Sequence, residues 1–114
     1  MKENDAIKAL SALAQPTRLA VFRLLVAAGP SGLSVGVIQE TLGLASATLS
    51  FHLKELAHSG LVASRQEGRF IYYAPAIEHM NDLIDFLTEN CCQGADVCAP
   101  KKTLKCKPKT TVAA

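Results

Sequence analysis

Residues 34–60 read SVGVIQETLGLASATLSFHLKELAHSG, and this stretch decides the fold of the 114-residue chain. Its apolar residues recur every three or four positions, as on one face of a helix, in two groups separated by Gly43. The first group is Val35, Ile38 and Leu42, and the second is Leu49, Leu53 and Leu56. Ser34 can cap the first helix, and the second begins near Ala45 or Ser46. Two short helices around a turn that contains glycine are typical of a helix-turn-helix.

Two more helices are predicted before this stretch. The first begins near Asp5, a plausible cap, and carries one apolar stripe. That stripe consists of Ile7, Leu10 and Leu13. Pro16 suits the first position of the second helix, which ends at the Gly-Pro-Ser-Gly of residues 29–32. One face of the second helix carries Leu19, Phe22, Leu25 and Val26.

The period changes after the helix-turn-helix. Residues 61–74 read LVASRQEGRFIYYA, in which β-favouring residues flank the turn-prone Gln66-Glu67-Gly68. This pattern predicts a β-hairpin. A last helix is then predicted from Ala76 to Cys92, with a narrow apolar seam of the kind that packs against another helix. The seam consists of Ile77, Met80, Ile84 and Leu87.

The predicted fold is therefore mainly α with a small β-hairpin: a winged helix-turn-helix with five helices and a two-stranded antiparallel wing. We expect residues 1–92 to form the DNA-binding and dimerisation domain. Residues 93–114 form a segment rich in cysteine and lysine, which we expect to be partly disordered because its hydrophobic periodicity disappears.

The net charge of +2 conceals an uneven distribution. Residues 1–100 hold seven basic and ten acidic residues, whereas residues 101–114 hold five lysines and no acidic residue. The overall charge therefore does not argue for nucleic acid binding. Any such argument depends on the positions of individual basic residues. The sequence opens with Met1-Lys2-Glu3-Asn4-Asp5 and has neither an early apolar run of the signal-peptide type nor an apolar stretch long enough to cross a bilayer. We expect a cytoplasmic protein without a membrane partner, whose thiols stay reduced.

Three segments also resemble a known family in their amino-acid sequence. They are LAQPTRLAVFRLL at 13–25, TLSFHLKELAHSGLV at 48–62 and RQEGRFIYYA at 65–74. Together they resemble the ArsR/SmtB family of metal-responsive transcriptional repressors, over about residues 6 to 90. The resemblance implies a homodimer whose first and last helices form the interface, and an inducer metal that lowers affinity for operator DNA. The implied interface residues are Ile7, Leu10, Ile77, Met80, Ile84 and Leu87.

If the second helix of the helix-turn-helix lies in a major groove, the surface opposite its leucines can reach base edges or phosphates. The candidate DNA-binding residues there are Ser46, Ala47, Thr48, Ser50, Phe51, His52 and Lys54. Arg65 and Arg69 flank the predicted turn of the hairpin, where they suit phosphate or minor-groove contact. Ala45 departs from the family, which often has a capping serine there, so the register of this helix is open by one residue.

The cysteines lie in CCQGADVC, residues 91–98, and at Cys106 in the lysine-rich segment. Many arsenic-responsive members of the family carry cysteines in the first helix of the helix-turn-helix, which has none here. The zinc pattern of the last helix fails too, because Asn90 stands eleven residues after His79. Soft thiolates select thiophilic ions, and a trivalent arsenic or antimony centre takes three sulfurs. We therefore predict a site for As(III), with Sb(III) as a second ion, at Cys91, Cys92 and Cys98, and Cys106 as an optional fourth ligand.

Several alternatives remain open at the cysteines. A site for zinc, cadmium or lead is one, although the spacing lacks the paired cysteines usual in structural zinc sites. A thiol-redox switch is another, because a bridge between Cys92 and Cys98 is geometrically plausible. A DNA-binding architectural protein without an inducer is a third. An enzyme is disfavoured: an arsenate reductase loop of the C-x5-R type needs an arginine where Cys98 stands, and no C-x-x-C motif is present.

Overall fold

The computed structural model describes residues 1–90. Five helices and three short strands follow one another along this part of the chain. They are α1 (Glu3–Leu13), α2 (Pro16–Ala28), β1 (Leu33–Ser34), α3 (Val35–Leu42), α4 (Ser46–His58), β2 (Val62–Glu67), β3 (Phe70–Pro75) and α5 (Ile77–Thr88). The predicted winged helix-turn-helix with five helices is confirmed.

The helix-turn-helix forms as the sequence predicts. The Ser34 hydroxyl accepts a hydrogen bond from the Val37 backbone N–H at 3.3 Å, which caps α3. The helix ends at Gly43, whose φ of 65° lies in the left-handed region that glycine enters without strain. The chain then starts α4 at Ser46, with Ala45 as a cap residue that makes no side-chain hydrogen bond. The one-residue uncertainty in register is thus resolved in favour of Ser46.

The buried core joins the helix-turn-helix to α2 and to the start of the wing. Leu49, Leu53 and Leu56 of α4 are fully buried, as predicted, and they pack with Ile38 of α3. The remaining fully buried large side chains are Val21, Leu25 and Leu61. Because these side chains fix the inner face of α4, they also determine which of its residues are left facing outward.

The predicted start and cap of the first helix are wrong. Helix α1 begins at Glu3 rather than near Asp5, and its cap residue Lys2 makes no side-chain hydrogen bond. Its inward face consists of Ala6, Ala9 and Ala12, while Ile7 and Leu10 are exposed. The small alanines allow α1 to approach α2 and α4 closely, so the larger residues are left outside.

Helix α2 is rotated slightly from the predicted orientation. Phe22 and Leu25 are buried as expected, but Val21 joins them in the core. Leu19 and Val26, which the sequence placed on the same face as Phe22 and Leu25, are exposed.

The wing is a three-stranded antiparallel sheet in the order β1-β3-β2. Strands β2 and β3 form the predicted hairpin, but Glu67 pairs with Phe70, so the connecting turn is Gly68-Arg69 rather than Gln66-Glu67-Gly68. Gly68 has a φ of 63°, which a tight two-residue turn requires. The third strand, β1, was not predicted because two residues are too few to show an alternating pattern.

The last helix is shorter than predicted. Helix α5 ends at Thr88, whose hydroxyl donates to the Ile84 carbonyl at 2.8 Å, and not at Cys92. Its buried residue is Leu83, which lies outside the predicted seam. The cysteines and the segment 93–114 lie outside the described residues. Within residues 1–90 no single helix is long and apolar enough to span a bilayer; α1 and α2 reach that length and hydropathy only together, across a bend of 100°.

Candidate nucleic-acid interface

The outer face of α4 presents most of the predicted DNA-binding residues. Six of them are exposed: Ser46, Ala47, Thr48, Ser50, Phe51 and Lys54. Phe51 is 56% exposed, which is unusual for an aromatic side chain in the middle of a helix. The surface therefore offers hydroxyl groups, one cation and one apolar ring to whatever lies against it. That mixture suits base edges, phosphate oxygens and thymine methyl groups.

A groove of about 420 Å³ connects this face to the wing. Ser50 and Lys54 of α4 line one side of it, and Arg69 lines the other. Its remaining walls are mostly apolar and come from α3, α4 and β3: Val35, Gly36, Leu53, Phe70, Ile71 and Tyr73. Two cations and a hydroxyl that the sequence places up to nineteen positions apart are thus brought to one concave surface.

The two wing arginines differ in their surroundings. Arg69 lies in the hairpin turn and forms no ion pair with any residue between 1 and 90. Arg65 lies within β2, where its Nε donates to Glu67 Oε2 at 2.6 Å. Its guanidinium carbon is 4.9 Å from the centroid of the Tyr72 ring, on the paired strand. Arg65 is therefore held in place by an anion and an aromatic ring, whereas Arg69 projects from the tip.

His52 does not join the other predicted contacts. It is 8% exposed, and its Nδ1 lies 3.2 Å from Nη1 of Arg18 on α2. This placement argues against a direct DNA contact by His52. Sequence reasoning gave no role to Arg18, because its partner lies 34 positions further along the chain and no local pattern links the two.

The predicted dimer residues form an apolar surface on α1 and α5. Ile7, Leu10, Ile77 and Leu87 are exposed, which large apolar side chains seldom are without a partner. Met80 and Ile84 are half-buried. Helices α1 and α5 contact each other, so the two rows of apolar side chains belong to neighbouring elements.

The predicted metal ligands Cys91, Cys92, Cys98 and Cys106 lie outside the described residues. Among residues 1–90, no group of three or more His, Cys, Asp or Glu side chains is arranged to hold a metal ion. The imidazole of His79 lies beside Gly60, and its Nε2 is buried without a hydrogen-bond partner among residues 1–90. A Cβ atom at Gly60 would lie 2.9 Å from His79 Nε2.

Comparison with known proteins identifies relatives of this arrangement. A helix-turn-helix domain model matches residues 13–65. The transcriptional activator HlyU of Vibrio cholerae is 32% identical over 95 residues, covering 82% of this chain and 85% of HlyU. A structure of HlyU has a TM-score of 0.61 at 31% identity and covers 82% of this chain and 100% of that one. A structure of reduced HlyU has a TM-score of 0.59 at 30% identity, over 79% and 92% of the two chains.

Two further relatives are a metal-resistance regulator and a homodimeric DNA-binding domain. The cadmium resistance transcriptional regulatory protein CadC homolog of Staphylococcus aureus is 31% identical over 86 residues, covering 74% of this chain and 69% of that protein. The solution structure of Mb0332 from Mycobacterium bovis is described as a homodimeric winged helix-turn-helix DNA-binding domain of "a possible ArsR-family transcriptional regulator". It has a TM-score of 0.62 at 26% identity and covers 81% of this chain and 85% of that one.

Proposed function

The chain belongs to the ArsR-like winged helix-turn-helix transcriptional regulators, and on that premise we propose that it is a homodimeric repressor released from operator DNA by As(III). The observation that carries DNA binding is the convergence of Ser50 and Lys54 of α4 with Arg69 of the wing around one groove. This geometry lets α4 enter a major groove while the wing reaches the adjacent backbone. The proposal places the protein in the cytoplasm, with the DNA that it reads.

The residues of α4 and the wing make different kinds of contact with the bound DNA. Lys54 and Arg69 neutralise phosphates, which supplies affinity but little sequence information. The hydroxyl groups of Ser46 and Ser50 donate to or accept from base edges. Phe51 provides apolar contact for a thymine methyl group. Because these contacts discriminate only modestly among bases, DNA shape supplies part of the specificity.

The homodimer follows from the exposed apolar residues of α1 and α5. A second copy would cover Ile7, Leu10, Ile77 and Leu87 in a two-fold interface. Two copies of α4 would then face the same side of the DNA, about one helical turn or 34 Å apart. An imperfect inverted repeat is the operator that matches this symmetry. The homodimeric Mb0332 domain supports the proposal.

The inducer site is proposed at Cys91, Cys92 and Cys98, with Cys106 as an optional fourth ligand. Three thiolates match the pyramidal coordination of As(III) and of Sb(III). Helix α5 ends at Thr88, three positions before Cys91 in the sequence. Metal capture next to the proposed dimer helix would shift the dimer toward a geometry that fits the operator poorly. Such coupling typically amounts to about 1–3 kcal/mol.

Two of the relatives favour other inducing signals. A divalent metal ion is the second candidate and thiol oxidation is the third. The CadC homolog is named for cadmium resistance, which supports a regulator that responds to cadmium, zinc or lead through the same thiolates. The structure of reduced HlyU supports a thiol-redox switch. HlyU is also named an activator, so the direction of regulation needs its own test. Expression of a reporter from the bound promoter, with and without arsenite, distinguishes repression from activation.

Fluorescence anisotropy tests the function as a whole. The probe is a labelled duplex of about 30 base pairs, three helical turns, selected from a random library with the wild-type protein. Arsenite, antimonite, cadmium and zinc are titrated into the complex under reducing conditions. We expect arsenite to release the wild type but not the triple variant Cys91→Ser, Cys92→Ser, Cys98→Ser.

Cys106→Ser is the matched control and is expected to respond to arsenite as the wild type does. Release of the triple variant by arsenite would rule out the proposed ligands. Release by cadmium or zinc but not by arsenite would replace the proposed ion with the second candidate. Release by an oxidant alone, reversed by a thiol reductant, would establish the redox switch instead.

A further inference from the structure

The side chain of Arg18 connects three helices. Its Nε donates to the Ala12 carbonyl at 2.7 Å, near the end of α1. Its Nη1 lies 3.2 Å from Nδ1 of His52 in α4. Its backbone N–H donates to Gln15 Oε1 at 2.8 Å, which caps the start of α2. Arg18 is therefore fixed at its own backbone and reaches both neighbouring helices through separate nitrogens.

Both partners of the guanidinium suit a cation with two donors. The last carbonyls of a helix lack partners within the helix, so Ala12 accepts a hydrogen bond that α1 does not supply. Since arginine has only donors, Nδ1 of His52 has to accept, which places the ring proton on Nε2. A lysine has a single nitrogen and cannot reproduce a fork that spans two acceptors on different helices.

Although α1 and α4 contact each other, packing between them does not extend to the surface near the end of α4. An open groove of about 410 Å³ runs there, lined by Lys8 and Ser11 of α1 and by Glu55 and His58 of α4. Arg18 forms part of its wall. Beside this groove the guanidinium supplies a directional link between α1 and α4, whereas the buried alanines of α1 supply only non-directional apolar contacts.

The link continues to the surface that reads DNA. The rings of His52 and Phe51 meet edge to face, with centroids 5.4 Å apart and an interplanar angle of 63°. Phe51 is exposed on the outer face of α4. Contacts therefore run without interruption from the Ala12 carbonyl through Arg18 and His52 to Phe51.

We propose that Arg18 is a positioning residue that transmits the placement of α1 to the DNA-reading helix α4 through His52. The proposal rests on the proposed function, because α1 carries Ile7 and Leu10 of the dimer surface and α4 carries the base contacts. Dimer assembly fixes α1, and the Arg18 fork then links the position of α1 to α4, whose buried leucines already leave Phe51 and Ser50 facing outward. Shifts of the dimer interface reach the reading surface by the same route.

A double-mutant cycle tests the link to DNA binding. Arg18→Met keeps the aliphatic stem and removes the fork, and His52→Leu removes the acceptor. Affinity for the selected duplex is measured by anisotropy at a temperature and concentration where circular dichroism and sedimentation show every variant to be folded and dimeric. We expect each single change to weaken binding about tenfold, equivalent to about 1.4 kcal/mol, and the double change to weaken it no further.

Two further variants separate positioning from general damage. His52→Asn keeps an acceptor oxygen close to the place of Nδ1 and is expected to restore most of the affinity. Arg23→Met removes an exposed arginine of the same helix and is expected to bind as the wild type does. Wild-type affinity in Arg18→Met, or effects of the two single changes that simply add, would overturn the proposal. If Arg18→Met does not fold, Arg18→Lys replaces it in the cycle with the same expectation.

A second measurement works without DNA. Leu10→Ala trims the exposed face of α1, and the amide chemical shifts of Ser50 and Phe51 report the position of α4. We expect those amides to move when Arg18 is intact and to stay in place when Arg18→Met is added. Equal movement in both backgrounds would overturn the proposal. If the wild-type protein selects no duplex, the proposed function fails, and this measurement alone decides whether Arg18 links the helices.

Discussion

Arg65 and Glu67 stand two positions apart on strand β2, and Nε of Arg65 donates to Oε2 of Glu67 at 2.6 Å. Arg65 of the wing is thus paired with a carboxylate from its own strand. Both side chains are exposed, Arg65 by 42% and Glu67 by 57%, so the pair stabilises the fold by about 1 kcal/mol at most. Tyr72 holds the guanidinium from the opposite strand. Glu67 therefore competes with phosphate for Arg65, while Tyr72 provides a second contact that would remain in its absence.

The Glu67→Gln variant should bind DNA more tightly than the wild type. Removing the carboxylate frees Arg65 and lowers the repulsion of phosphate, so we expect a gain of about two- to fivefold, on the order of 0.5–1 kcal/mol. The dependence of log affinity on log salt should steepen, because one more phosphate is neutralised. Glu78→Gln makes the same charge change on α5 and serves as control. Weaker binding by Glu67→Gln would show that the carboxylate orients Arg65 for DNA.

Lys54→Ala and Arg69→Ala should each weaken binding to specific and random duplexes alike. Both cations line the groove between α4 and the wing, where we assign them to phosphates. Each loss is expected to reduce the salt slope by about one, the value for a single phosphate contact. Anisotropy titrations at four or more salt concentrations measure that slope. Arg23→Ala, an exposed change on α2, should leave it unchanged. An unchanged slope in Lys54→Ala would place α4 away from the backbone.

Leu87→Asp should convert the dimer to a folded monomer. The side chain is 56% exposed in the single chain, so the charge costs the monomer little. A two-fold interface contains Leu87 from both protomers. Losing the apolar burial of each side chain weakens dimer association by about 1.5–3 kcal/mol, so the loss occurs twice. Sedimentation equilibrium measures the dissociation constant, and circular dichroism checks the fold. Val26→Asp, at an apolar site on α2 that is 43% exposed, is the control. A dimer that survives Leu87→Asp would move the interface away from α5.

Residues 34–60 predicted the helix-turn-helix, because leucines at helical spacing leave α4 only one way to face the core. In α1 the buried residues are Ala6, Ala9 and Ala12, whereas Ile7 and Leu10, which the family resemblance assigned to the dimer interface, are exposed. A monomer core alone does not explain that inversion, but a surface reserved for a second copy does. Periodicity thus identifies apolar faces without saying which partner covers them.

The contacts around the candidate site could be predicted only in part. The exposed face of α4 follows from the position of its leucines, so Ser50 and Lys54 were found from the sequence. The pairing of Arg18 with His52 joins positions 34 apart, and only the folded chain brings them together. Glu67 was assigned to a turn, and its role beside Arg65 depends on its remaining in the strand.

The glycines at 32 and 36 give a matched test of the wing and the helix-turn-helix. Gly32 has a φ of 77°, and a Cβ atom there would collide with the Tyr73 carbonyl of β3, so Gly32→Ala should destabilise the sheet by more than about 1 kcal/mol. Gly36 lies within α3 with open space around it, so Gly36→Ala should stabilise the protein by about 0.5–1 kcal/mol through helix propensity. Urea unfolding measures both changes. Equal effects of the two substitutions would contradict both the positive φ of Gly32 and its close approach to the Tyr73 carbonyl.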